Sequence, residues 1–102
     1  MRIYVSNDYN EKLLDKCLRD IRETKKSITY SMNYGEKDIK EADIEVIHLD
    51  KDMLETERRA FAYSKFTGDC ICLFPYKVIL IREGKLVFNF KWEELIWIQR
   101  NY

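Results

Sequence analysis

Ile44-Glu45-Val46-Ile47-His48-Leu49 carries apolar side chains at both parities of a strand. Successive side chains of a β-strand point to opposite faces of its sheet. A strand that is apolar on both faces must be covered on both faces, which is the habit of a parallel strand in the middle of an α/β sheet. Lys77-Val78-Ile79-Leu80-Ile81 has the same two-sided character. A chain with such strands needs helices to cover them, and two helical patterns are present. After Asn10, a good N-cap with Glu11 behind it, the residues Leu13, Leu14, Cys17, Leu18 and Ile21 form one apolar stripe at helical spacing. Lys25-Lys26 suit the negative end of that helix's dipole. A second helix is expected over residues 52–66, capped by Asp50 or Asp52 and stopped at Gly68. Its apolar residues are Met53, Leu54, Ala60, Phe61 and Phe66, a thinner stripe.

The remaining elements follow from punctuation. Arg2–Val5 reads as a first strand, broken by Ser6-Asn7-Asp8-Tyr9-Asn10. Ser27–Met32 has strand composition and ends at Gly35, and Glu36–Asp43 is either one helical turn or a solvated loop. Cys70–Leu73 is a short apolar run leading into Phe74-Pro75. Arg82-Glu83-Gly84-Lys85 reads as a hairpin connection, with Leu86, Phe88 and Phe90 alternating on the returning strand. Lys91–Gln99 reads as a closing helix that turns Trp92, Leu95 and Ile96 inward. The expected architecture is a single α/β domain over residues 1–102, with a mixed sheet of four or five strands and three helices.

Composition narrows the function classes. With 46% apolar and 35% charged residues, the chain is expected to be a soluble globular domain. Lys plus Arg and Asp plus Glu both number 18, and the absent basic excess counts against a general nucleic-acid binder. No apolar run is long enough for a membrane span, and Met1-Arg2-Ile3-Tyr4-Val5 does not open a signal peptide. Three cysteines without an export signal imply reduced thiols in a cytosol.

The segment Pro75-Tyr76-Lys77-Val78-Ile79-Leu80-Ile81-Arg82-Glu83-Gly84-Lys85-Leu86-Val87 resembles the proline, strand, glycine hairpin and strand of the thioredoxin-like fold. Val46-Ile47-His48-Leu49-Asp50-Lys51-Asp52 looks like that fold's central strand running into a helix. The similarity covers about residues 44–99. It implies a cis proline beside a reaction site at the start of the first helix. Members with dithiol activity place a cysteine there, where the thiolate gains from the helix N-terminus. Ser6–Asn10 holds none, and Asp8 would disfavour a thiolate. The resemblance therefore implies a domain without the family's dithiol activity.

Several side chains could still carry chemistry. Cys70-Ile71-Cys72 reads either as a redox or metal pair or as two small core residues. In a strand their Cα atoms would lie about 6.6 Å apart, near the upper limit for a disulfide. Only Cys17 and His48 remain as soft metal ligands, and neither has zinc-type spacing. Cys17 falls on the apolar stripe of the first helix, and burial there would make it inert. His48 shares a strand face with Asp50, a pairing that could orient an imidazole, or it is simply a histidine near a strand end. Asp8, Asp50 and Asp52 could gather at the carboxyl end of the sheet around Mg²⁺, although helix capping accounts for the latter two. Arg58-Arg59, flanked by Glu55 and Glu57, is explained by pairing along the helix.

The aromatic share is 14%, and Phe74, Tyr76, Trp92, Trp97 and Tyr102 gather late in the chain, with Trp97 directed partly outward. The leading expectation is a small cytosolic protein that acts non-catalytically by binding another protein, as a regulator or inhibitor. Its docking residues would be Asn7, Asp8, Tyr9, Phe74, Pro75, Tyr76, Trp97 and Tyr102. A homo-oligomer is compatible with this, and no cofactor or resident metal is called for. The alternative is a thiol–disulfide oxidoreductase using Cys70 or Cys72. A third reading is Mg²⁺-dependent phosphate chemistry on Asp8, Asp50 and Asp52.

Overall fold

A computed structural model of the chain describes residues 1–75 and 77–91. In chain order its elements are β1 (Arg2–Val5), α1 (Glu11–Thr24), β2 (Tyr30–Tyr34), β3 (Ile44–His48), α2 (Met53–Thr67), β4 (Cys70–Leu73), β5 (Lys77–Arg82) and β6 (Lys85–Lys91). The strands form one six-stranded mixed sheet in the order β2-β3-β1-β4-β5-β6. The first four in that order run parallel. β5 and β6 are antiparallel to their neighbours.

The expected sheet of four or five strands with three helices is therefore corrected to six strands and, among the described residues, two helices. The additional strand is Cys70–Leu73. It is not a lead-in to the proline but a full parallel strand between β1 and β5. All four of its residues are buried, as a strand flanked on both edges and covered on both faces must be. Lys91, the expected start of a third helix, closes β6 by pairing with Lys77. Residues 92–99 lie outside the described residues. No peptide bond among the described residues is cis, so Pro75 lacks the bond geometry that the thioredoxin-like resemblance implies.

The two helices cover opposite faces. Leu13, Leu14, Cys17, Leu18 and Ile21 of α1 pack on Ile3, Val5, Ile44, Val46, Ile71, Leu73, Val78 and Leu80. Each fully buried Leu or Ile contributes about 1.5–3 kcal/mol of transfer free energy, so this stripe dominates the docking of α1. Asn10 caps the helix by accepting from the Leu13 amide at 3.2 Å. The other face holds Tyr4, Ile47, Cys70, Cys72, Phe74, Ile79 and Ile81 beneath α2.

α2 buries only part of the stripe its apolar residues suggest: Ala60 is fully buried and Phe61 packs at the edge of the core. Thr56, Ala60 and Ser64 face the sheet, while Leu54 and Phe66 are exposed. Small side chains four residues apart let the helix lie close over large partners such as Tyr4 and Phe74. The two hydroxyls are satisfied by Thr56 donating to the Asp52 carbonyl at 2.7 Å and Ser64 to the Gly68 carbonyl at 2.6 Å. Ser64 also accepts from the Gly84 amide at 3.1 Å, tying the helix to the β5–β6 turn. In that turn Glu83 and Gly84 both have left-handed φ, 52° and 73°, the pattern of a two-residue type I′ hairpin. A Cβ on Gly84 would also meet Lys65 Cγ at 2.5 Å, so both the φ and the close approach favour glycine there. Asp52, rather than Asp50, caps α2 by accepting from the Glu55 amide at 2.8 Å. Residues 35–43 form a loop, pinned where the Lys40 amide donates to buried Asn33 at 2.9 Å. No helix among the described residues is long and apolar enough to cross a membrane.

Candidate functional site

The parallel strands β1, β2 and β3 end at one edge of the sheet, where α/β folds place their ligand sites. Backbone hydrogen bonds sew the three strand ends together. The Leu49 amide donates to the Val5 carbonyl at 3.1 Å, the Asn7 amide to Lys51 at 2.8 Å and the Gly35 amide to His48 at 2.9 Å. The Ser6 amide donates to the Leu73 carbonyl at 3.2 Å, which ties the β1 end to β4 as well. The resulting cleft has a volume of about 460 Å³ and is lined by Ser6, Asn7, Tyr9, Tyr34, His48 and Asp50, with Gly35 and Leu49.

His48 lies at the centre of this edge. It is the last residue of β3 and lies between Val5 of β1 and Tyr34 of β2 in the register. The Tyr34 ring stacks on the imidazole, with centroids 4.9 Å apart and planes 16° apart. The Tyr9 ring meets it edge-on at 5.2 Å and 68°. Nε2 is buried and has no hydrogen-bond partner among the described residues. An unpaired buried imidazole nitrogen favours the neutral ring, and burial pushes the His48 pKa below its ordinary value. Asp50 does not orient the ring. Its left-handed φ of 54° breaks the strand alternation expected to put the two side chains on one face, and no hydrogen bond joins them. Burial, then the negative charge of Glu11, the Tyr34 phenol and the charge of Asp15 raise the Tyr9 pKa.

The expected docking residues separate into three groups. Asn7 and Tyr9 line the cleft, and Asp8 is exposed beside them in the same turn. Phe74 is fully buried beneath α2, with the half-buried Pro75 next to it. Tyr76, Trp97 and Tyr102 lie outside the described residues. Residues 27–43 supply what the sequence reading missed, namely Tyr34 and Gly35. The available signal was the alternation Tyr30, Met32, Tyr34, which sends three large side chains to one face of an edge strand.

The candidate thiols are in a different environment. Cys70 and Cys72 are fully buried on the α2 face of β4, and Cys17 is buried on the sheet-facing side of α1. Burial pushes the Cys70 and Cys17 thiols up to about 12 and Cys72 higher still. A thiol that does not ionise near neutral pH is a poor nucleophile and a poor metal ligand. Among the described residues no three His, Cys, Asp or Glu side chains gather closely enough to hold a metal ion. Asp52 is engaged as the α2 cap, which leaves Asp8 and Asp50 without the third carboxylate of the proposed Mg²⁺ set.

No protein-family model, no curated protein and no solved structure matches this chain.

Proposed function

We propose that the chain acts without catalysis, by binding another protein at the carboxyl-end cleft, as a regulator or inhibitor of that partner. The observation that carries the reading is Tyr34. It is 83% exposed, yet its ring is held by stacking on His48. Exposed aromatics fixed before association lose little freedom on binding, which is why Tyr is enriched at the energetic centres of interfaces. Asn7, Tyr9 and Asp50 around it supply polar groups that would set the partner's orientation.

Catalytic readings find less support. The thiol route needs a thiolate, and burial works against one at Cys70 and Cys72. General-base chemistry needs a group to orient His48, and among the described residues no hydrogen bond serves its Nε2. The three free cysteines support a reducing, cytosolic setting for this role. The outer face of α2 also exposes apolar side chains, Leu54 at 58% and Phe66 at 87%. Glu57, Arg58 and Lys65 line a cleft beside them, but neither Leu54 nor Phe66 is an exposed ring stacked on a second ring as Tyr34 is, so we assign this face second place as a docking surface.

Photo-crosslinking in cells of the source organism tests the assignment. A benzophenone side chain is placed at Tyr34, at Phe66, or at Lys12 as a control. The expected result is a discrete protein adduct from position 34 that Asp50→Asn reduces, and none from position 12. An adduct from position 66 alone would move the docking surface to α2. No adduct from either surface would overturn the binding reading.

A further inference from the structure

We propose that the carboxyl-end cleft is a receptor for a basic side chain, arginine in preference to lysine, presented by the protein partner; this deepens the binding reading above and rests on it. The first ground is the pairing of cations with aromatic rings across the molecule. Tyr63 carries the Arg2 guanidinium 4.3 Å from its ring centroid, and Tyr30 carries Arg22 at 5.2 Å. Tyr34 is more exposed than Tyr30, at 83% against 42%, and among the described residues the His48 ring stacks on it while no cation does. A guanidinium is planar and stacks on a tyrosine face better than an ammonium does.

The second ground is the negative charge at the cleft, whose carboxylates, like Glu23, Asp38, Glu41 and Glu83 elsewhere, have no ion-pair partner among the described residues. Glu36, Glu45, Glu55, Glu57, Asp20 and Asp69 each have a Lys or Arg partner. Asp50, which lines the cleft, has none among the described residues. Glu11 and Asp15 also have no Lys or Arg ion-pair partner among the described residues, and both direct negative charge at the Tyr9 phenol. Asp8 sits exposed in the turn between Asn7 and Tyr9. Lys51 is exposed but does not line the cleft. An anionic ligand would meet these carboxylates unfavourably, and a neutral one would leave Asp50 unused. A guanidinium stacked on Tyr34 could donate to the Asp50 carboxylate and to the Asn7 side-chain carbonyl, a geometry that its fork of N–H groups suits.

The test is an NMR titration of the ¹⁵N-labelled full chain with blocked tripeptides, glycine-arginine-glycine against its lysine and glutamine counterparts. The arginine probe is expected to shift the amides of Asn7, Gly35 and His48 saturably, more tightly than lysine, with glutamine silent. Tyr34→Leu keeps the apolar bulk but removes the π face, and should weaken the arginine probe about three- to tenfold. Asp50→Asn should weaken it as well and reduce its salt dependence, and Asn tolerates the left-handed φ, so the fold is kept. Equal binding of arginine and glutamine probes, or no shift of cleft amides by either cation, would overturn the proposal. A crosslinked partner at position 34 with a silent arginine probe would overturn this inference and leave the binding reading standing. A binding arginine probe with no crosslinked protein would overturn the protein-binding reading, and with it the partner's presentation of the side chain, and leave the cleft's preference for arginine standing.

Discussion

The sheet holds its two most reactive kinds of side chain in contrasting surroundings. Cys70 and Cys72 occupy β4, with β1 on one edge, β5 on the other and α2 above. His48 occupies the last position of β3, where the chain is about to leave the sheet. Burial acts on both, but with different results. Around the cysteines it is complete, and it holds the thiols in their protonated form. Around His48 it is partial, and it favours the neutral ring while a neighbouring ring stays in solvent. Position along a strand thus separates packing from recognition. The middle of a parallel strand is dry and closed, and its carboxyl end opens into loops.

The largest test of this contrast is Phe74→Ala. A fully buried phenylalanine beneath α2 should lose about 3–5 kcal/mol of stability on truncation, read by urea denaturation. A loss below about 1 kcal/mol would mean that the closed region is not closed. Thiol accessibility sharpens the same point. At neutral pH, Cys70 and Cys72 should label at least about a thousandfold more slowly in the native protein than in denaturant, since reaction must wait for opening. Labelling located by mass spectrometry at native rates would return the oxidoreductase alternative to the front.

Smaller effects probe how closely each region is packed. Ala60→Leu places a bulky side chain where α2 lies on the sheet, and should destabilise by about 1–3 kcal/mol. Tyr34→Leu at the open edge should cost less than about 1 kcal/mol, because most of that residue is in solvent. Similar losses at the two positions would erase the contrast.

The smallest effect is a pH dependence from His48. Its folded pKa lies below the ordinary 6.5, so the unfolded chain takes up the proton first as pH falls. Stability should therefore decline as pH drops below about 6.5 and level off below the folded pKa. His48→Gln should flatten that segment of a urea-midpoint profile. The Thr29 amide and hydroxyl hold the Asp43 carboxylate below its ordinary 3.8. Its contribution is present above that value and fades only as pH falls through the lower folded pKa, so the two windows separate on the pH axis. A profile in the wild-type protein with no decline between neutral pH and 5 would show that His48 is as solvated folded as unfolded.

Much of the fold was legible because its signals are local. The Arg2–Val5 strand, the Asn10 cap and the apolar stripe of α1 appear where residue spacing puts them. So do the Ile44–His48 strand, the Gly68 stop and the Glu83-Gly84 turn. Cys70–Leu73 was harder because four apolar residues next to a proline carry no periodicity to count. The α2 stripe was misjudged for a related reason. Hydrophobicity points to Leu54 and Phe66, but a helix lying close over Tyr4 and Phe74 presents small side chains to them. Of the candidate site, the Asn7–Tyr9 turn and His48 were visible as residues, while Tyr34 was hidden in the least patterned stretch.

By itself the sequence determined the kind of chain this is. Side-chain periodicity, caps and glycine turns act over a few residues, and they are enough to specify parallel strands covered by helices. The order of the six strands belongs to the tertiary structure alone. So does the insertion of β4 between β1 and β5, and with it the burial of both thiols. The meeting of Tyr9, Tyr34 and His48 at one edge is decided there too, because residues from three separate strand ends become neighbours only once β1, β2 and β3 align. Periodicity fixes which way a side chain faces. Only the pairing of distant strands fixes what it faces.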